Sequence, residues 1–284
     1  NLWNAELKAA FTPNNNSFSG FMPELDTNDK DILKLYNMGI LGVIYFKRDN
    51  PYSIYGRAYD TLMPRYWQTV TFIWDYALSS LTHALLDPDV MKKYLQNWMK
   101  TDIHKHFGTE YLNGNTVGPW YSVNDFAIST LANDYLRWTG NFNWLNTELK
   151  IKSNKKSKKN KVKDFLIDYA NHWKKFKTKN GLANYGGINN LLECVSTYIN
   201  EVAALNAANI FNLRFASEIF SLLKNKKQSK KFQDEAKIIF KELQKLYVRE
   251  KGFWYARFPE NKLIEVRHCY DFITILNTIG DELI

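Results

Sequence analysis

Cysteine is nearly absent from this chain: its 284 residues include two, Cys194 and Cys269. Two isolated thiols build no disulfide framework, and neither has the spaced partners of a zinc site. No apolar run reaches the length of a membrane span, and no signal peptide opens the chain. The motifs that mark the commonest enzyme classes are missing as well: no HExxH, no P-loop, no dinucleotide fingerprint, no GxSxG. Gly186-Gly187 alone is a weak phosphate signal. His104 and His106, within Asp102-Ile103-His104-Lys105-His106, stand two residues apart and do not share a helix face, which argues against a metal site. No metal, cofactor or membrane partner is therefore expected. The first residue is Asn1 rather than Met, and Ile284 falls in a stretch of helical periodicity. A piece of a longer protein is expected, which leaves the compartment unread.

Evenly spread basic charge is also lacking. The net charge of +9 comes from one run: Lys150 to Lys179 holds 12 of the 38 Lys and Arg but two of the 29 acids. The remainder has 26 bases and 27 acids. A solvated Lys-rich loop at 150–161 is expected, without a nucleic-acid partner.

What the chain does have is apolar and aromatic content, at 45% and 15%, with 9 Trp, 17 Tyr and 18 Phe. That is the composition of a folded globular protein with a sizeable core. The aromatics serve either that core or the stacking of flat ligands such as sugars. Residues 1–21 are polar and Asn-rich, a loop or the end of a preceding domain, and Asn15-Asn16-Ser17 is a glycosylation sequon in form only. Asp26 or Thr27 is placed to cap a helix with the stripe Ile32, Leu35, Tyr36, Gly39, Ile40, Val43 and Phe46. An irregular connection follows to Thr69. A helix from Trp74 to Leu86 comes next, and then a restart with Asp87 as N-cap, Pro88 at the first position, and Val90, Met91, Tyr94, Leu95 and Trp98 inward. Further helices are predicted from Ser122 to Gly140, Val162 to Phe176, Tyr198 to Leu223, Lys231 to Tyr247 and Arg267 to Ile279, with one short extended segment at Gly252-Phe253-Trp254-Tyr255. Helices alternating with loops, and no series of period-2 strands, make an all-α fold of helical hairpins. Long loops precede the helix starts at Trp74, Ser122 and Glu193, and clustering at one end of a toroid would form a pocket there.

Four carboxylates carry candidate chemistry. Asp75 follows Trp74 at a helix start: the ring could stack on a pyranose while the acid accepts its hydroxyls, or the acid could serve the helix dipole. Gly118 to Asp125 gathers Trp120, Asn124 and Asp125, although Ser122-x-x-Asp125 also has the form of a capping box. Glu193 sits between Leu192 and Cys194, after a Gly-Gly turn, where poor solvation would raise the pKa of a proton donor. Asn190-x-x-Glu193 is a capping box as well. Glu201 lies eight residues on, and Asn206 shares a face with Ile210, Leu213 and Phe220, so it points inward and needs a buried partner.

Together, Trp74-Asp75, Gly118 to Asp125, Arg137-Trp138-Thr139-Gly140-Asn141 and Glu193 to Asn209 resemble the six-hairpin, (α/α)6-barrel glycoside hydrolases. The likeness is to the clan of processing α-glucosidases, mannosylglycerate and glucosylglycerate hydrolases, and trehalases, and it covers roughly 22–284. It implies a partial (α/α)6 toroid, with about eight of the twelve helices in this chain. It also implies inverting hydrolysis of an α-glucosidic or α-mannosidic bond of an oligosaccharide or small glycoside. By that resemblance Glu193 is the catalytic acid, and Trp74, Asp75, Trp120, Asn124, Asp125, Glu201 and Asn206 line the carbohydrate site. The sequence departs from the family at the acid itself. Relatives carry an Asp in a Glu-Ser-Gly-x-Asp-type motif before Leu-Asn-Ala; here Leu205-Asn206-Ala207 is present but Glu193 precedes it, so the assignment is positional. The general base, near the end of the family's barrel, falls outside this chain. A polysaccharide lyase using Tyr198 with Arg214, and a non-catalytic helical carbohydrate-binding or scaffold domain, are the alternatives.

Overall fold

The computed structural model describes residues 2–61, 69–151, 158–187 and 198–266. They fall into two compact units, one of Asn1–Pro119 with Thr130–Val162, the other of Trp120–Ser129 with Lys163–Ile284. Helices dominate both, with small antiparallel sheets between them. Those sheets are the main departure from the all-α expectation. Their strands are two to five residues long, too short for a period-2 pattern to register. Among the described residues no helix is long and apolar enough to cross a membrane.

The first unit opens on α1 (Leu2–Ala10), in the stretch expected to be a loop or the end of a preceding domain. Its anchor is apolar: Ala10 joins Phe18, Met22, Ile40, Ile44 and Leu86 in one buried cluster, with Leu7 packed against it. The Asn-rich turn after it is held by Asn15. Its Nδ2 donates to the carbonyls of Thr12 and Gly20 at 2.9 and 3.0 Å, and its Oδ1 accepts from the amides of Ser17 and Phe18. Asn15, the first residue of the sequon, thus has both its amide nitrogen and its oxygen hydrogen-bonded within the turn.

Helix α2 (Lys30–Tyr45) is capped by Asp29, whose carboxylate accepts from the amides of Asp31 and Ile32 at 2.9 and 3.1 Å. Neither expected cap, Asp26 or Thr27, takes that place; Thr27 Oγ1 instead accepts from the Asp29 amide two residues on. Ile40 and Val43 of the predicted stripe are buried, but Ile32 and Leu35 are 52% and 72% exposed. Strands β1 (Lys47–Asp49) and β2 (Arg57–Tyr59) then pair antiparallel, Lys47 opposite Tyr59. This brings order to part of the stretch expected to be irregular.

After β3 (Val70–Phe72), the predicted Trp74–Leu86 helix is two helices, α3 (Ile73–Leu78) and α4 (Ser80–Leu86), broken at Ser79. Helix α5 (Pro88–Thr101) buries Val90, Met91, Tyr94, Leu95 and Trp98, the five residues its spacing selected. Trp98 Nε1 donates to Thr109 Oγ1 at 2.9 Å in β4 (Gly108–Glu110), which lies between β3 and β5 (Thr116–Val117). Gly118 ends β5 with φ +73°, and a Cβ there would lie 1.8 Å from the Phe107 ring, so no other residue fits. Asp87 stands at the N-cap position as expected, but its carboxylate does not cap α5. It is turned to Arg57, Tyr59 and Ser19 instead.

Helix α6 (Asn124–Thr139) gives its start to the second unit and its remainder to the first, and it ends where expected, at Gly140 with φ +66°. The flanks of the Lys-rich run are not a free loop. They form the hairpin β6 (Glu148–Ile151) and β7 (Lys158–Lys161), with Glu148 opposite Lys161; residues 152–157 lie outside the described set.

In the second unit α7 (Val162–His172) tightens into a 3₁₀ turn, Trp173–Phe176, close to its predicted end. Helices α8 (Ala203–Leu222) and α9 (Lys226–Gln244) form a helical hairpin, α8 starting five residues later than predicted and α9 five earlier. Asn225 caps α9, its side chain accepting from the Gln228 amide. The extended segment expected near Phe253 is β9 (Phe253–Arg257), flanked by β8 (Tyr247–Val248) and β10 (Leu263–Glu265). The predicted Arg267–Ile279 helix lies outside the described residues.

Candidate functional site

The candidate residues divide between the units. Trp120, Asn124, Asp125, Glu201 and Asn206 belong to the second; Trp74 and Asp75 belong to the first. Glu193 and the Asn190 box lie outside the described residues.

In the second unit the start of α6 meets the end of α7. Asp125 is 5% exposed, and its Oδ2 lies 2.8 Å from Nδ1 of His172, itself 7% exposed. Trp120 stacks on Phe176 with centroids 5.4 Å apart and planes 17° from parallel, and it meets the His172 ring edge-on. Phe176 in turn packs on Tyr185. Burial, and secondarily the Asp125 charge, push the Tyr185 phenol far above its ordinary pKa. It stays protonated and donates to Asn209 Oδ1 at 2.8 Å. A carboxylate, an imidazole and three aromatic rings are thus gathered beside the Asn184–Gly187 turn. His172 was missed from sequence, because nothing local to it marks a partner 47 residues away.

Glu201 and Asn206 have partners within the fold. Arg257 Nε donates to Glu201 Oε2 at 2.6 Å, and the two residues exchange backbone hydrogen bonds. Asn206 is fully buried as expected: its Oδ1 accepts from the Ala183 amide, and its Nδ2 donates to the carbonyls of Ala183 and Val202. It ties α8 to the segment entering the Gly186-Gly187 turn. Tyr198, the base of the lyase alternative, accepts the Ala204 amide at the first turn of α8.

In the first unit Trp74 is buried while Asp75 is exposed, and Asp75 lines a pocket of about 380 Å³. Its walls include Asp60, Tyr59, Tyr76, His83 and, from α2, Gly39 and Gly42. Asp60 is 1% exposed. The Tyr76 and His83 rings stack 3.8 Å apart and 7° from parallel, and Tyr76 Oη and His83 Nδ1 are both buried without a hydrogen-bond partner among the described residues. Burial drives the His83 pKa down to about 3, against the opposing pull of the Asp87 charge. The imidazole is therefore neutral at physiological pH. Unfolding releases a histidine that protonates near pH 6.5, so the folded state loses stability as pH falls from about 6.5 toward 3, on the order of 1 kcal/mol per pH unit. His83→Phe should flatten that slope; urea unfolding of both proteins at pH 7 and pH 4.5 measures it. An unchanged difference between the two pH values would show that His83 titrates normally. Asp60 and His83 were not singled out from sequence, since their burial depends on β2 and α4 packing together.

The fold is one that glycoside hydrolases use. A rhamnosidase from Klebsiella oxytoca, solved with rhamnose bound, matches with a TM-score of 0.64 over 92% of this chain and 46% of its own, at 11% identity. A GH78-family rhamnosidase of Bacillus sp. GL1 matches with a TM-score of 0.57 over 74% of this chain and 21% of its own, at 12% identity. The chain thus spans less than half the length of either. No family model matches the sequence, and no curated protein matches it.

Proposed function

We propose that the protein is a glycoside hydrolase acting on α-glycosides of a neutral hexose or deoxyhexose, through an inverting acid–base pair on a helical toroid. The observation that carries this reading is the likeness across 92% of the chain to a rhamnosidase with its sugar bound. Rhamnose is a 6-deoxy sugar of the manno configuration, which adds α-rhamnosides to the α-mannosides and α-glucosides implied by the sequence. In this reading Glu193 is the acid, and Trp74, Asp75, Trp120, Asn124 and Asp125 bind the sugar. A carboxylate about 6.5–9.5 Å from the acid would activate the water.

The protein at its full length, given aryl α-glucoside, α-mannoside and α-rhamnoside, is expected to release sugar from at least one. Proton NMR of the first-formed anomer reports inversion. Glu193→Gln should lower kcat about 100-fold or more on the substrate cleaved, the usual share of a general acid. Full activity in that variant would end its assignment and direct attention to Asp125. Unsaturated, UV-absorbing products would mark a lyase instead.

A further inference from the structure

Helix α9 is fixed to the second unit by one face and carries a concentrated positive charge on the other. Phe232, Ala236, Ile239 and Leu243 are buried, on the side turned to α8. The 3.6-residue period sets every lysine of the helix on the outward side, and each is exposed, as is Lys224 just before it. Residues 224–245 hold eight lysines and three acids. All three acids are taken. Asp234 pairs with Lys230 at 3.1 Å, Glu242 with Lys245 at 2.6 Å, and Glu235 with Lys174, from the turn after α7, at 2.7 Å. Lys224, Lys226, Lys227, Lys231, Lys237 and Lys241 have no acidic partner among the described residues.

Their spacing works against the helix. Lys226 and Lys230, Lys227 and Lys231, and Lys237 and Lys241 are like charges four residues apart, which repel along a helix face. A face kept only for solubility intersperses both signs. An anionic surface laid against α9 would relieve that repulsion. The residue types narrow the partner further. The stretch has no arginine and no exposed aromatic, so it lacks both the planar fork that grips a single phosphate and the rings on which bases stack. It does expose an apolar side chain, Ile238, 57% accessible and one turn from Lys241. Lysine point charges around an apolar residue, along a surface helix of 19 residues, suit a plane of anionic headgroups with acyl chains beneath.

We propose that the outward face of α9, with Lys226, Lys227, Lys231, Lys237 and Lys241 around Ile238, docks the protein on an anionic lipid surface. Neither a membrane-spanning run nor the Lys-rich run at 150–161 takes part, and the inference does not rest on the glycosidase reading.

The test is co-sedimentation of the full-length protein with vesicles of phosphatidylcholine alone or with one-third phosphatidylglycerol, in low and high salt. Binding is expected to the anionic vesicles only, and to weaken as salt screens the charges. Lys227→Gln with Lys231→Gln should lower vesicle affinity about twentyfold, at roughly fivefold for each lysine near a charged surface. Removing a repelling pair should leave the urea midpoint no lower, so the loss would not come from unfolding. Lys227→Arg with Lys231→Arg should retain binding. Lys30→Gln with Lys34→Gln, which takes the same charge from exposed positions of α2, should change it less than about twofold. Ile238→Ser should weaken it about threefold or more at constant charge. Equal binding to both vesicle types, undiminished binding in the α9 glutamine pair or in Ile238→Ser, or an equal loss in the α2 pair would each overturn the proposal. Tighter binding to duplex DNA than to anionic vesicles at equal phosphate concentration would also overturn it, in favour of nucleic acid.

Discussion

Asp87→Ala is expected to destabilise the first unit by about 3–5 kcal/mol, the cost of leaving a buried charge without its partner. The carboxylate is fully buried. Arg57 approaches it through Nε at 2.5 Å and Nη2 at 2.8 Å. Tyr59 Oη donates at 2.9 Å, and Ser19 donates through its hydroxyl at 2.7 Å and its amide at 3.2 Å. These donors come from two separate pieces of chain, so one carboxylate fastens the loop after α1 and strand β2 to the start of α5. The attraction is mutual: the hydrogen bond to Asp87 is the main cause raising the Arg57 pKa above its usual value. Alanine would strand a guanidinium that is only 20% exposed, along with the phenol of Tyr59. Asp89→Ala, two residues on at an exposed site in the same helical turn, should cost less than about 1 kcal/mol, a helix-dipole effect. Urea unfolding of both variants, followed by tryptophan fluorescence, makes the comparison. Similar losses would mean that Asp87 acts only as a helix-start acid.

Helices whose burial is set by their own spacing were legible in the sequence. The α5 stripe was read residue by residue because a 3.6-residue period survives whatever packs against it. The Gly140 stop was equally local. What failed depended on distant chain. Helix α1 lies in a stretch read as a loop or the end of a preceding domain, because its anchor, Ala10, is buried only by packing against Ile40, Ile44 and Leu86. Asp87 occupied the predicted position and took a different bond, since a capping motif says nothing of an arginine 30 residues earlier. In α2 the expected inward face was wrong at Ile32 and Leu35 because periodicity fixes a stripe and not its length.

The candidate site follows the same division. Asn206 was expected inside from the face it shares with Ile210 and Leu213, and it is there. Its partner, the backbone of Ala183, could not be foreseen. Asp125 was weighed as a cap or a sugar ligand; the structure sets it against His172, a residue that no motif connects to it. Histidines were judged by spacing to other histidines, so two that touch carboxylates or line a pocket, His172 and His83, were passed over.

Glu201→Ala is the second substitution expected to cost about 3–5 kcal/mol, for it would bare another buried cation. Arg257 and Glu201 side chains are 11% and 5% exposed, and the Nε–Oε2 distance is 2.6 Å. Around that pair the backbones exchange hydrogen bonds of 3.0 and 3.2 Å, so the residue that leads into α8 is bridged to the end of β9. Arg257 Nη2 already has no hydrogen-bond partner among the described residues. Removing the carboxylate would therefore leave the guanidinium with less compensation than most buried pairs retain. Replacing both residues together, Glu201→Leu with Arg257→Met, should recover most of the loss, because no charge then remains to be desolvated. This double-mutant cycle also separates the two roles open to Glu201. A residue that anchors β9 to α8 gives a coupling of 2 kcal/mol or more by rough expectation for such a pair, and sugar affinity changes only as far as folding does. A residue that binds carbohydrate gives the opposite pattern: Glu201→Gln unfolds in urea much as the parent does and loses the ligand. The reciprocal backbone bonds and the low exposure of both side chains favour the first outcome.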